Sequence, residues 1–351
     1  ILAINPGSTS TKFAIYKDSS LLFQEKISHD AAVLKNFSSI IDQTDFRKNL
    51  IFEKIKEKGF ALELLSAVSG RGGLLKPLAS GTYLVNDAML SDLKSGKYGV
   101  HASNLGAIIA HEIASQLNIP AFIVDPVSVD EFIELARISG MPMIERTAIF
   151  HALNHKAIAR HVSNDVGKKY EELNLLICHM GGGISVGAHM KGKVIDATSA
   201  LDGDGPMTPE RSGSVPIGPL TKLCFSGKYT YEEIRNLNYG RGGLIAYLNT
   251  NDVREVIKRI NAGDTYAKKI LDAMIYQIAK EIGAYATVLF GEVDYIVLTG
   301  GIAYEKYVTD ELIKRIGFIA KVLIYPGEDE LHALALGALR VLNNLEEVKT
   351  Y

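Results

Sequence analysis

Apolar residues open the chain as Ile1-Leu2-Ala3-Ile4, give way to the small and polar run Asn5-Pro6-Gly7-Ser8-Thr9-Ser10-Thr11-Lys12, and resume as Phe13-Ala14-Ile15-Tyr16. Strand, small-residue turn, strand is the pattern of a β-hairpin with a hydroxyl-rich tip. Half a chain later it returns: Leu175 to Met180, then Gly181-Gly182-Gly183, then Ile184 to Ala188, with a further strand at Lys193 to Asp196. That spacing suggests a duplicated fold, each half opening with a glycine or serine hairpin. Between the hairpins, Leu105, Ile108, Ile109, Ile113 and Leu117 mark one helical face over Ser103 to Asn118. Strand Ala121 to Val124 follows. Later, apolar positions from Tyr266 to Leu289 predict a helix of about seven turns, capped by Asp264-Thr265 and followed by strand Tyr295 to Leu298. Strands alternating with long helices predict α/β layers, and the hairpins make each sheet mixed. The charged segment Asn164 to Glu172 reads as a solvated loop or helix end.

Composition narrows the picture. At roughly 150 residues per domain, 351 residues predict two domains. Hydrophobic residues at 47% and charged residues at 22% suit a large core and exclude global disorder. With 38 Lys and Arg against 40 Asp and Glu, no basic field draws nucleic acid or anionic lipid. The two cysteines, Cys178 and Cys224, make neither a disulfide framework nor a four-ligand zinc site, and fit a reducing cytosol as buried thiols. The longest uncharged run, Leu173 to Met190, is broken by Asn174, His179 and three glycines, a poor membrane span. No basic segment followed by an apolar one opens the chain. These features predict a soluble, cytoplasmic protein with neither nucleic acid nor membrane as partner.

No Gly-x-x-x-x-Gly-Lys-Ser/Thr occurs, and no Gly-x-Gly-x-x-Gly follows a strand, so P-loop and dinucleotide readings lose their basis. Instead, three small-residue turns end strands, at 5–12, 179–187 and 299–302. Turns without Cβ atoms let backbone N–H groups approach phosphate oxygens, and the Ser8, Thr9, Ser10 and Ser185 hydroxyls add donors. Any one of them alone reads first as a tight turn; the three together favour phosphate. Ala3 to Lys12 resembles the first signature of the acetate kinase family, and Leu175 to Ala188 the second. The resemblance runs over nearly the whole chain and is strongest to the butyrate kinase branch.

It implies duplicated actin-like (ribonuclease H-like) ATPase domains with mixed sheets around a central cleft. Residues 1–127 with 331–351 would form the N-terminal domain and 128–330 the nucleotide-binding one. Homo-oligomers, dimeric or higher, are implied too. The implied reaction is butanoate plus ATP giving butanoyl phosphate and ADP with Mg2+, by in-line transfer. The alternatives are an acetate, propionate or isobutyrate kinase and, further off, an ATP-switched binding module.

Such a transfer brings two anions together, and the carboxylate is its own nucleophile, so the site needs cations and donors rather than a base. Arg71 in Ser69-Gly70-Arg71-Gly72-Gly73 and Arg211 in Pro209-Glu210-Arg211-Ser212-Gly213 offer bidentate forks beside small residues, as does Arg241 in Gly240-Arg241-Gly242-Gly243. The resemblance separates them, making Arg71 the substrate-side arginine and Arg211 its partner at the transferring group. It also makes His151, after Ile149-Phe150, a donor to that group, and Asp125 the catalytic aspartate. His151 and His155 stand at i, i+4 but lack the glutamate and third ligand of a zinc site.

For the nucleotide, the resemblance implies Asn5, Ser8, Thr9, Ser10, Lys12, His179, Gly181, Gly182 and Gly183 at the phosphates. Gly300, Gly301 and Ile302 would meet adenosine, with the Asp196-Ala197-Thr198 turn. Asn5 and an acid of Pro326-Gly327-Glu328-Asp329-Glu330-Leu331 would hold magnesium; Asp329 is in register, and Glu328 and Glu330 stay open. Gly73, Val100, His101 and Phe150 would wall the acyl site. Acetate kinases carry a bulkier residue where Gly73 stands, so the glycine should admit extra methylenes, each worth about 0.8 kcal/mol when buried.

Overall fold

Both halves of the chain begin with an antiparallel meander whose first strand becomes the middle of a sheet. The computed structural model describes residues 1–201 and 203–351. In the first half, β1 (Leu2–Pro6), β2 (Ser10–Lys17) and β3 (Ser20–Ser28) form the meander. On its other side β1 pairs in parallel with β4 (Val68–Arg71), and β4 with β6 (Ala121–Val124). The short β5 (Thr82–Leu84) and β12 (Lys349–Thr350) complete a sheet ordered β12-β5-β6-β4-β1-β2-β3.

In the second half, β7 (Asn174–Met180), β8 (Ile184–Met190) and β9 (Lys193–Ala197) repeat the meander, and β10 (Tyr295–Gly300) and β11 (Lys321–Pro326) add in parallel. The order is β11-β10-β7-β8-β9. From the third meander strand inward, both sheets run through two antiparallel and then two parallel pairings. This shared topology is the duplication that the repeated hairpin pattern predicted.

Two compact units result: Ile1–Asp130 with Ala152–Lys156 and Asp329–Tyr351, and Glu131–His151 with Ala157–Glu328. Within the first, Leu2, Ile4, Phe13 and Ile15 pack with Leu105, Ile108, Ile109 and Ile113 of the helix Asn104–Leu117. That helix lies so close to β4 that a Cβ on Gly70 would meet the Gly106 carbonyl, and one on Gly106 the carbonyl of Arg71. The close contact fixes the strand end that carries Arg71.

In the second unit, β7 is buried on both faces, which explains its apolar run Leu175 to Cys178. Leu176 and Cys178 face the helix Thr265–Val288 through Ile270, Leu271, Met274 and Ile278. Leu175 and Ile177 pack with Ala159 and Val162. The long helix starts where expected, Asp264 accepting from the Ala267 amide at 2.9 Å. Among the described residues, no helix is long and apolar enough to cross a membrane.

Candidate active site

In the first unit, the β1–β2 hairpin closes through the Gly7 amide on the Ser10 carbonyl at 2.7 Å. Its turn is shorter than the 5–12 expected, because β1 extends to Pro6 and β2 begins at Ser10. Ser8 and Thr9 are exposed at the tip. Asn5, at the end of β1, is buried, and its Nδ2 donates to Glu330. The other oxygen of the same carboxylate takes Arg71 Nη1. Asp329 does something else: its Oδ1 caps the helix Glu330–Leu342, accepting from the His332 amide at 3.0 Å. The acid facing Asn5 is therefore Glu330, one residue beyond the register position, because a helix N-cap turns Asp329 onto its own backbone.

Asp125 follows β6 with φ of 38°, unusual for a residue with a side chain. Its buried carboxylate accepts from Ser80 Oγ at 2.5 Å and from the Gly81 amide at 2.8 Å. His101 Nδ1 lies 2.8 Å from Ser103 Oγ; partial desolvation and the nearby Arg71 charge lower its pKa. Val100 is 61% exposed. Gly73 corrects an expectation. A Cβ there would lie 2.6 Å from Asn104 Cα, so the missing side chain makes room for Asn104 rather than for acyl methylenes. Asn104 in turn accepts from the Leu74 amide at 2.9 Å.

The second unit gathers His151, His179, Ser185 and Arg211 around the glycine turn. The turn closes through the Gly181 amide on the Gly183 carbonyl at 2.9 Å, and Thr208 Oγ1 donates to the Gly182 carbonyl at 2.8 Å. His179, buried at the end of β7, stacks on His151 with ring centroids 4.0 Å apart and planes 21° apart. His151 Nδ1 is 2.8 Å from Ser185 Oγ, and His179 Nε2 is 3.1 Å from Glu328 Oε1. Phe150, preceding His151, is buried.

Arg211 lies beside Gly183, with its guanidinium 5.0 Å from the centre of the Tyr239 ring. Its Nε and Nη1 are buried and have no hydrogen-bond partner among the described residues. Buried donors left unmet are costly, and an anion at the glycine turn would satisfy them. Arg241 is exposed, which separates it from Arg211 where the glycine context did not.

Beside the turn opens a cavity of about 650 Å³, a volume that suits a nucleotide-sized ligand. Gly181, Gly182, Glu210, Gly301, Ile302 and Glu328 line it, together with Asn251 to Arg254. Gly300 has φ of 88°, and a Cβ on it would strike the Met180 backbone, so β10 and β7 meet here only through glycine. Asn251 to Arg254 escaped the sequence reading. Their signal was the cap itself, Asp252 accepting from the Arg254 amide at 2.9 Å while the Arg254 side chain holds its pKa down at about 2. Asn251 Nδ2 also donates to Glu210 Oε1 at 2.7 Å. The Asp196 turn does not line this cavity: Asp196 accepts from Arg146 at 3.0 Å.

Two sheets of one topology, each opening with an antiparallel meander, define a duplicated actin-like (ribonuclease H-like) fold. The crystal structure of Porphyromonas gingivalis acetate kinase has the same fold, with a TM-score of 0.79 over 97% of this chain and 99% of that one at 19% identity. A propionate kinase from Francisella tularensis follows with a TM-score of 0.75 over 96% and 98%, also at 19% identity. The acetokinase family model matches residues 143–320. A probable butyrate kinase of Clostridium botulinum strain Alaska E43 is 54% identical over 351 residues, covering 100% of this chain and 99% of that relative. Butyrate kinase 1 of Clostridium acetobutylicum is 55% identical over the same shares. The chain belongs to the acetokinase family. It is a phosphotransferase with a carboxylate as acceptor.

Proposed function

We propose that this chain transfers the γ-phosphoryl group of ATP to butyrate, giving butanoyl phosphate and ADP. Arg211, with buried donors unspent beside a glycine turn, is the observation that carries the phosphoryl-transfer reading. The choice of butyrate rests on the full-length likeness to the clostridial butyrate kinases.

In this reading the Gly181–Gly183 turn takes phosphate oxygens on backbone amides, and adenosine enters the cavity past Gly301 and Ile302. Arg211 neutralises charge on the transferring group, and His151, oriented by Ser185 and by its stack on His179, donates to it. Arg71 takes the butyrate carboxylate after exchanging partners with Glu330. No proton need leave the acceptor, so Asp125 serves to hold the Ser80–Gly81 backbone rather than as a base.

Magnesium fits the residues present. Asn5 and Glu330 bring a side-chain amide and a carboxylate together, with Nδ2 donating to the carboxylate, so the amide oxygen and the carboxylate would both face an ion once that contact opens. That is the donor set of an ion that keeps water and phosphate among its ligands. When bound, it would neutralise charge on the phosphate oxygens. Work in the cytoplasm as a homo-oligomer belongs to the same reading; exposed Ile217, Phe225 and Tyr231 offer an oligomer apolar surface to cover.

A hydroxamate assay over two- to five-carbon acids tests the proposal. Butyrate should give the highest kcat/KM, and Arg211→Ala should lower turnover at least a hundredfold, since such an arginine is worth roughly 10³–10⁵. A folded variant with near-normal turnover would remove Arg211 from the mechanism.

A further inference from the structure

Beneath the β1–β2 hairpin lies Arg47, on the helix Thr44–Glu57, with only 1% of its surface exposed. Nη1 reaches the Gly7 carbonyl at 2.8 Å, the Ser10 carbonyl at 3.3 Å and Thr11 Oγ1 at 3.1 Å. Nη2 reaches the Ser8 carbonyl at 3.2 Å and Gln43 Oε1 at 2.8 Å, and Nε shares that amide oxygen at 3.1 Å. No carboxylate among the described residues pairs with this guanidinium, so a buried cation is balanced by carbonyl and amide dipoles alone. Burial lowers its pKa to about 10, which leaves it charged at neutral pH. An uncompensated buried charge is expensive, and here it sits directly under a turn read as phosphate-binding.

Within each peptide group the carbonyl and the following N–H point opposite ways. Tying the Gly7 and Ser8 carbonyls inward therefore turns the Ser8 and Thr9 amides outward, and neither amide donates to a described residue. We infer that Arg47 is a positioning residue: its guanidinium fixes the hairpin carbonyls, and its charge stands behind the Ser8 and Thr9 amides that receive an anionic phosphoryl group. It touches no substrate itself. Lysine, with a compact head on a single point of attachment, cannot span the same carbonyls. The inference rests on the proposed function in taking that anion to be the transferring group or the nucleotide that carries it.

The test uses the full chain with Arg47→Met and Arg47→Lys. Kinetics with ATP and butyrate are paired with hydrogen exchange over residues 5–12 and over the helix Asn104–Leu117. For Arg47→Met we expect kcat/KM for ATP to fall at least thirtyfold, KM for butyrate to stay within threefold, and the Gly7 amide, which closes the hairpin on the Ser10 carbonyl, to exchange at least tenfold faster while the helix keeps its protection. Arg47→Lys should recover part of the activity but leave the hairpin exchanging faster than in the wild type. A folded Arg47→Met with wild-type exchange at the Gly7 amide, or with kcat/KM within threefold, would overturn the inference. So would equal loss of protection in hairpin and helix, the mark of a purely structural role. Should Arg47→Met fail to fold, Arg47→Lys decides by the same readings, wild-type values in both overturning it. If the wild type phosphorylates no carboxylate, the functional reading falls, while the exchange comparison still decides whether Arg47 holds the hairpin.

Discussion

Replacing Gly183 with alanine should separate catalysis from folding at the glycine turn. The backbone there is outside the positive-φ region, so alanine is tolerated locally. The added Cβ, however, would lie 2.8 Å from Arg211 Cζ and 3.2 Å from Nη2, with Nη1 nearer still. What it meets is the far end of a flexible side chain, which can retreat, so stability should change by less than about 1 kcal/mol. Retreat to ordinary contact displaces the guanidinium by more than about 1 Å. A misplacement of that size costs on the order of a hundredfold in rate, about 2.7 kcal/mol of barrier. Turnover at saturating ATP and butyrate, read beside thermal melts, measures both. The double variant with Arg211→Ala should be no slower than Arg211→Ala alone, because one interaction cannot be lost twice. A folded Gly183→Ala with wild-type turnover, or losses that multiply in the double variant, would refute the reasoning.

Two further outcomes follow from the same geometry. Glu330→Gln should cut turnover at least a hundredfold and raise the magnesium requirement, whereas Asp329→Ala should cost about 1 kcal/mol of stability through the lost cap and leave turnover within a few fold; a magnesium titration and a urea melt of each variant distinguish the two acids. His29 is held neutral by burial and then by the Arg47 charge, its pKa lowered from 6.5 to about 4. The unfolded chain therefore binds a proton there first, and stability should fall as pH drops through that window by roughly 3 kcal/mol, with no effect above it. His29→Gln should remove this part of the acid limb, and superimposable urea midpoints against pH for variant and wild type would contradict it.

Much of the fold around the site was legible because its signals are local. Hairpin turns at Gly181–Gly183 and Gly7–Ser10, the capped helix from Asp264 and the strand ending at Gly300 each depend on residues a few positions apart. Arg71, Arg211 and Arg241 shared one small-residue setting, which the family resemblance had to separate, and the structure adds a reason at Arg211: Gly183 leaves the space its guanidinium fills. Gly73 looked the same in sequence but serves Asn104, since one missing Cβ can make room for protein as readily as for ligand.

The amino-acid order alone thus determined the two hairpins and the extent of two long helices, through steric and hydrogen-bonding preferences that act within a few residues. Folding in three dimensions decided the partners. Asn5 meets Glu330 across 325 positions and Arg71 meets it across 259, while the buried Arg47 finds the Gly7 carbonyl across 40. Which of three neighbouring acids faces the asparagine, and which arginine goes under the hairpin, depends on how sheet and helices close together. No local preference carries that information.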